Sequence, residues 1–527
     1  MSKFKLTKAG RILIAVIVLA IIGGVGAFAF KSGLISPDKK PSSSKPSGSP
    51  AQTVTNTSSE DDTIHLSLDE WSGWLAIVTA NNGLTTQPGS VFDQLGVNVE
   101  IHVINDATES SNALISGDLQ AAGYTTNRVA FLSNKFKSAN FDVIMPVFSN
   151  YSYGGDGIIA SVNYADIDTW ANARIGVPEF SEAQTLVAWF VNNSDLADAD
   201  KQKIMDNLIT FGTADDTAKA FFAGELDVAA TWEPYLTQAK TFTNSTVMFD
   251  TKSSSSLVMD GIVFDKEWAE NHRETVEKFI QGVIMSYDQP IDYDAAREVF
   301  PMYGTSTDEE IAATYANAKM CSYADNEEIL KNTAPMIYNQ MCDIWEGLGE
   351  TVDRDLVNTL FDISYLEGIA NAFEGTSANS QTTNIEVSNE YKESVASSVA
   401  NNINYDSMLS KTANVTFVPD TAVFTDQATA AAELNEFVDI ANTLNGTLIV
   451  INGNINTENP TEFGKNLSQT RAQAVANYLA TQGIDSSRMI IVGNGNAKYM
   501  QDKAAGTVNP DKSVYQSTDI AFMRIES

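Results

Sequence analysis

Residues 113–122 read ALISGDLQAA, and residues 221–230 read FFAGELDVAA. Each is an apolar helix end, a glycine suited to a left-handed turn, and a run of small residues that reads as a buried strand. A second echo keeps the same order: Asp156-Gly157-Ile158-Ile159 and Asp260-Gly261-Ile262-Val263. Two echoes in matching order imply two similar lobes joined by two crossing strands at these segments. Strand and helix signals alternate around them, which implies a parallel α/β sheet. In open α/β sheets ligands bind beyond the carboxyl ends of the strands. Those ends are Gly123-Tyr124-Thr125-Thr126-Asn127 and Thr231-Trp232-Glu233-Pro234-Tyr235. The two turns are expected to face one another across a cleft that holds a small solute and closes about the crossing strands.

The rest of the chain divides around this unit. At 527 residues it is too long for one ordinary core. Lys3, Lys5, Lys8 and Arg11 precede an apolar run from Ile12 to Phe30. That run spans roughly 28 Å as a helix, enough for a bilayer core, with its basic flank inside. Residues 1–31 therefore read as an N-terminal transmembrane anchor. A cleaved signal peptide, with Ala27-Phe28-Ala29 as its processing site, is the alternative. No cysteine follows the run, so a lipid-anchored N-terminus is excluded. Residues 32–62 are Ser- and Pro-rich and read as a tether. Residues 63–375 hold all seven tryptophans and form the two-lobed domain. Residues 376–410 are a polar linker, partly helical at most, and residues 411–527 a second, smaller α/β domain. The chain carries 67 acidic against 33 basic residues, a net charge of −34. A nucleic acid is excluded as partner, since its binders need a basic face. Cys321 and Cys342 are the only cysteines. Outside the cell a disulfide is expected, with two buried thiols as the alternative.

The segments ALISGDLQAA, SYGGDGIIAS (152–161), ARIGVPEFSEAQT (173–185) and AGELDVAATWEPY (223–235) together resemble the solute-binding receptors of ABC transporters. The resemblance is to the branch of sulfonate, taurine, nitrate and thiamine-precursor binders, and covers about 300 residues. It implies a two-lobed type II periplasmic-binding fold, an ABC permease as partner, and no catalysis or cofactor. The first turn of that fold lines the cleft, here Asp69-Glu70-Trp71. The candidate ligand-binding residues are Trp71, Thr125, Thr126, Tyr153, Asp156, Phe180, Ser181, Trp232, Glu233 and Asp260. An anion receptor needs donors at a helix N-terminus. Here Glu182 stands in that first turn, with Glu179, Asp156, Glu233 and Asp260 nearby. Aromatic rings among carboxylates suit an amine-bearing or zwitterionic solute better. A degenerate cleft on a wall-associated scaffold or sensor is the competing reading. An enzyme is a further alternative, because one relative of this branch makes a pyrimidine precursor. His65, His102 and His272 stand in no metal-ligand sequence spacing, and no metal site is expected.

Residues 466–475 read NLSQTRAQAV, followed by Asn477-Tyr478-Leu479 and Gly483-Ile484-Asp485. This resembles the signature helix of OmpA-like peptidoglycan-binding domains and implies contact with the cell wall. Ser468 is expected to cap that helix, Val415-Thr416-Phe417-Val418 to form the first strand of the domain, and Gly483 to end the helix. In the family an Asp and an Arg grip the diaminopimelate of the wall peptide. Arg471 keeps the Arg; Asn456 stands where the Asp belongs; Gln516-Ser517 replace an Arg pair. Wall binding is therefore expected to be retained but weakened, with a purely structural domain as the alternative.

Overall fold

The computed structural model describes residues 62–374, 388–400, 407–459 and 461–525. These belong to one unit, Ser58–Ser527. The expected anchor and nearly all of the tether lie outside the described residues. Among the described residues, no helix is long and apolar enough to cross a membrane.

The two echoes mark two lobes. The first lobe has a six-stranded sheet. Its strands in chain order are β1 (Ile64–Leu68), β2 (Val99–Val103), β3 (Ala121–Thr125), β4 (Val143–Ser152), β10 (Met259–Asp265) and β11 (Ala318–Met320). They lie side by side in the order β11-β4-β10-β3-β1-β2. The second lobe has β5 (Asp156–Ser161), β6 (Ile175–Pro178), β7 (Ile209–Phe211), β8 (Val228–Trp232) and β9 (Ser245–Asp250), in the order β7-β6-β8-β5-β9. The echoed segments are β3 and β8 with the helices before them. The helix Ala107–Ser116 turns at Gly117 with φ +81°, and the helix Ala214–Phe222 is followed by Gly224 with φ +77°. Glycine reaches this left-handed region without the Cβ clash that other residues meet.

The DGI echo is a register device. In β10, Asp260 lies opposite Thr125, the last residue of β3. In β5, Asp156 lies opposite Trp232, the last residue of β8. A Cβ at Gly157 would come within 2.3 Å of the Phe249 carbonyl, and one at Gly261 within 2.8 Å of the Val147 carbonyl. Only glycine lets the neighbouring strand approach this closely. The chain crosses between lobes beside these segments, from Ser152 to Asp156 and from Asp250 to Met259. The crossings are tied together: Ser152 Oγ lies 2.8 Å from Thr251 Oγ1, which also accepts from the Gly154 N–H.

The third sheet has the order β12-β15-β13-β14, with β12 (Leu409–Ala413), β13 (Thr447–Gly453), β14 (Met489–Gly493) and β15 (Thr518–Arg524). Alternation splits its core. Ile449, Ile451, Ile520 and Phe522 join Leu434, Phe437, Val475 and Leu479 of the helices Gln427–Thr443 and Glu462–Thr481 in one cluster. Leu448, Val450, Ala521 and Met523 instead meet Val395 and Val399. Those two belong to the helix Asn389–Ala400, so the stretch read as a linker supplies part of this core. Two local readings change. The first strand is Leu409–Ala413, in register with Thr518–Phe522, while Phe417 makes only an isolated bridge to Phe424. The signature helix starts two turns earlier, capped by Thr461. Ser468 lies within it, where its Oγ accepts from the Gly495 N–H.

The disulfide expectation is corrected: Cys321 and Cys342 are separate buried thiols. Cys321 follows β11, with its N–H on the Ser149 carbonyl, and Cys342 sits inside the helix Ala334–Gly347. Burial pushes the Cys321 thiol well up and the Cys342 thiol to about 12. Since the thiolate is the reactive form, both should resist an exchange reagent at neutral pH. Two thiols should then react on denaturation without reductant; none reacting would restore the bridge.

The C-terminal domain holds the second crossing. Ser254 Oγ donates to the Thr443 carbonyl at 2.7 Å, Asn445 Nδ2 to Ser255 Oγ at 2.6 Å, and the Gly446 N–H to the Ser253 carbonyl at 3.0 Å. Arg524 Nη2 donates to the Met248 carbonyl at 2.8 Å. A Cβ at Gly446 would lie 2.5 Å from the Lys252 carbonyl oxygen. Gly446→Val should therefore cost about 1–3 kcal/mol, as overpacked sites do. Urea unfolding checks this; an unchanged midpoint would remove the clasp.

Candidate functional site

Between the lobes lies a cavity of about 340 Å³. The first lobe contributes Asp69, Glu70, Trp71, Thr125, Arg128 and Asp260, among others, and the second Asp156, Glu182, Trp232 and Glu233. Of the ten sequence candidates, Trp71, Thr125, Asp156, Trp232, Glu233 and Asp260 are on this wall. Four are not. Thr126 is wholly buried beneath it. Ser181 caps the helix Glu182–Asn193 and donates to the Pro178 carbonyl. Phe180 has φ +54°, is 42% exposed and stacks on Phe131. Tyr153 lies under the Lys319 ammonium, 3.9 Å from the ring centre. Strand alternation and turn geometry direct these four side chains elsewhere.

Arg128, which sequence reasoning missed, is the one cation on this wall. It lies in the first turn of the helix Thr126–Ser138, where Thr125 Oγ1 caps the helix by accepting from the Arg128 N–H. Its Nη2 donates to Glu182 Oε2 at 3.0 Å, and its Nη1 lies 3.5 Å from Asp69 Oδ2. Thr125 Oγ1 donates to the other Glu182 oxygen at 2.7 Å. Glu182 thus joins the lobes across the cleft. Asp69 also accepts from Trp74 Nε1 at 2.7 Å, while Trp71 Nε1 donates to Asn150 Oδ1 at 2.9 Å. Both tryptophans are fixed by their single donor. The helix Ala334–Gly347 adds a brace: Trp345 Nε1 donates to the Asn127 carbonyl, and Gln340 Oε1 accepts from Trp189 Nε1.

Six carboxyl groups and one guanidinium line the cavity. Burial works against the charge of Arg128, but Glu182 and Asp69 outweigh it and raise its pKa. Burial raises Asp69, with Arg128 opposing. Asp156 is pushed up to about 7, first by burial, with the charges of Glu182 and Asp69 adding and a Ser152 hydrogen bond opposing. Burial, then Asp69 and Glu182, drives Asp260 well above the carboxylate range. Asp260 Oδ2 is buried without a hydrogen-bond partner, as is Asn150 Nδ2. Unmade bonds at buried polar atoms are costly.

A second cavity, of about 220 Å³, lies in the C-terminal domain. Asn456 and Arg471 both line it, with Phe417, Asp420 and Gln516. Arg471 is only 4% exposed. Its Nε donates to the Thr421 carbonyl at 2.9 Å, and its guanidinium lies over the Phe417 ring. Burial lowers its pKa and Asp420 works against that. Asp420 holds φ +60°, a conformation Asp tolerates better than most residues. Asp420 lies 51 residues before Arg471, far from the turn where the family places its acid, so no local spacing marks it.

Residues 416–512 match the model of the OmpA family. No curated protein matches the chain in sequence. Three solved structures are similar in part. The ligand-binding component of an ABC-type import system from Staphylococcus aureus is 10% identical, over 58% of this chain and 98% of that one, with a TM-score of 0.43. The periplasmic aliphatic sulphonate binding protein from Escherichia coli is 13% identical, over 58% and 99%, with a TM-score of 0.43. The alkanesulfonate-binding protein from Xanthomonas axonopodis pv. citri is 12% identical, over 57% and 98%, with a TM-score of 0.42. The larger part of the chain is thus built of two α/β lobes joined by paired crossings, and residues 416–512 match the OmpA family.

Proposed function

We propose that the chain is an extracytoplasmic solute receptor of an ABC-type uptake system. In this reading it is held to the membrane by residues 1–31 and contacts peptidoglycan through its C-terminal domain. It delivers its solute to a permease and does no chemistry of its own. The observation that carries the reading is a 340 Å³ cavity between two lobes, with the carboxyl residues Asp156 and Asp260 among those that line it. Ligand pockets start at about 300 Å³ and combine apolar walls with a few convergent polar groups. Trp71 and Trp232 supply such walls.

The solute class follows from charge. The one cation on the wall, Arg128, is already engaged by Asp69 and Glu182. Asp156 and Asp260 remain to receive a ligand. An ammonium would give both a counter-charge and could also lie against an aromatic face. A sulfonate would face carboxylates and find its donor occupied. An organic cation or zwitterion is therefore the proposed solute. One feature favours the scaffold reading instead: the Glu182 bridge and the helix Ala334–Gly347 already tie the lobes together.

Native mass spectrometry of the full chain, purified in the detergent that extracts it, tests this. A small organic cation released on denaturation is expected. An anionic solute would overturn the proposed class, and a chain that neither carries nor takes up any small molecule would leave the scaffold reading.

A further inference from the structure

We propose that His65, Glu100 and His102 bind a divalent transition-metal ion of the zinc type on the edge of the first lobe. The three side chains converge because β1 and β2 run parallel, with His65 opposite Glu100 and Ser67 opposite His102. Residues that face one another across the pair share a side of the sheet, and so do residues two apart along a strand. His65 Nδ1 lies 3.1 Å from His102 Nε2. Glu100 Oε2 lies 3.6 Å from His65 Nδ1, and its Oε1 lies 3.7 Å from His102 Nε2. Among the described residues, this is the one group of three such side chains whose ligand atoms gather within 4.8 Å.

The cluster is compact enough to close on zinc, with one ligand atom from each residue within 4.8 Å of the others. Metal–ligand bonds of about 2.0–2.2 Å place the corners of a tetrahedron roughly 3.3–3.5 Å apart. The two nitrogens lie 3.1 Å apart, and the Glu100 carboxylate offers a different oxygen to each, at 3.6 and 3.7 Å, so a rotation of that carboxylate must bring one oxygen towards both. The donor set selects the metal. Two imidazoles and one carboxylate suit zinc and its neighbours, whereas calcium and magnesium take oxygen ligands. The side chains are 34%, 43% and 36% exposed in chain order, so water has access to a fourth corner. Two of the chain's three histidines are spent on this spot. The site lies near the start of β1, whereas the cleft residue Asp69 follows its end. The ion would tie the edge strand β2 to β1 and need not touch the solute.

The test uses the untagged full chain, stripped with a chelator and titrated with zinc chloride. One zinc per chain and a higher melting temperature are expected. His65→Gln and His102→Gln should each weaken zinc binding at least about tenfold, given that even outer-shell partners are worth that much. Both should also abolish the zinc-dependent rise in melting temperature. Melting in chelator shows whether a variant folds, and Glu100→Gln gives an independent reading. Absence of zinc binding by the parent chain, or equal binding by folded variants, would overturn the site.

Discussion

Affinity for an organic cation should rise roughly tenfold or more between pH 5.5 and 7.5. Asp156 is the reason. Its pKa is raised from 3.8 to about 7 by burial first, so the empty cleft holds it largely protonated at pH 5.5. An ammonium prefers the carboxylate, so binding below that pKa expels a proton and tightens by up to tenfold per pH unit. Asp260, also raised, acts in the same direction. The stability of the empty protein runs the other way. A raised carboxyl contributes stability that is complete below the unfolded pKa and is lost as pH climbs through the folded one. The ligand-free chain should therefore weaken from about pH 4 to 7, and the cation should restore it. An anionic solute would bind more weakly as pH rises. Calorimetry at the two pH values distinguishes the signs, and a flat profile would remove Asp156 from the site. Trp232→Ala should cost about thirtyfold in affinity, since Trp232 is half-buried on the empty wall and losing an aromatic anchor that a ligand covers costs about 2 kcal/mol.

The second large effect concerns the wall. Arg471 can clamp a carboxylate through its planar fork, while Asn456 offers an ammonium only a neutral acceptor. Asn456→Asp should strengthen pull-down on diaminopimelate-containing sacculi, about tenfold for a charge-assisted contact. Asp420 lines the same cavity and is the nearby acid that can replace the missing one in part. Asp420→Asn should then weaken whatever binding the parent shows. Arg471→Ala is a poor probe, because Arg471 is buried and hydrogen-bonded to the Thr421 carbonyl. Arg471→Lys keeps the charge and removes the fork, and should lose most binding with a smaller cost to stability. If none of the three substitutions changes pull-down, the domain does not hold the wall through this cavity.

Features set by spacing alone are legible in the sequence. The left-handed glycine between helix and strand works through a few neighbouring residues, so Gly117 and Gly224 disclosed two equivalent units. The DGI echo did the same for the strands that flank the crossings, and their ends delivered Thr125, Trp232, Asp156 and Asp260 to one cavity. Side chains set by turn geometry were not legible. Phe180 takes a left-handed backbone and points its ring to Phe131, and Ser181 is used up as a cap.

Two echoed lobes, an acidic and aromatic cleft at their strand ends, and a C-terminal domain with Arg471 on its signature helix all follow from local patterns of residues. Helix and strand periods and glycine turns carry that information over a dozen residues at a time. Which charges meet depends on packing between distant elements. Arg128 resembles any surface arginine on a helix until folding brings Asp69 and Glu182 to it from 59 and 54 positions away. Cys321 and Cys342 stay apart because strand and helix packing, not their separation in sequence, fixes where each thiol lies. His65 and His102, 37 positions apart, meet Glu100 only through the register of two parallel strands. Contacts of this kind have no local signal, because the free energy that forms them comes from burying the sheets and helices that carry the residues, not from the residues themselves.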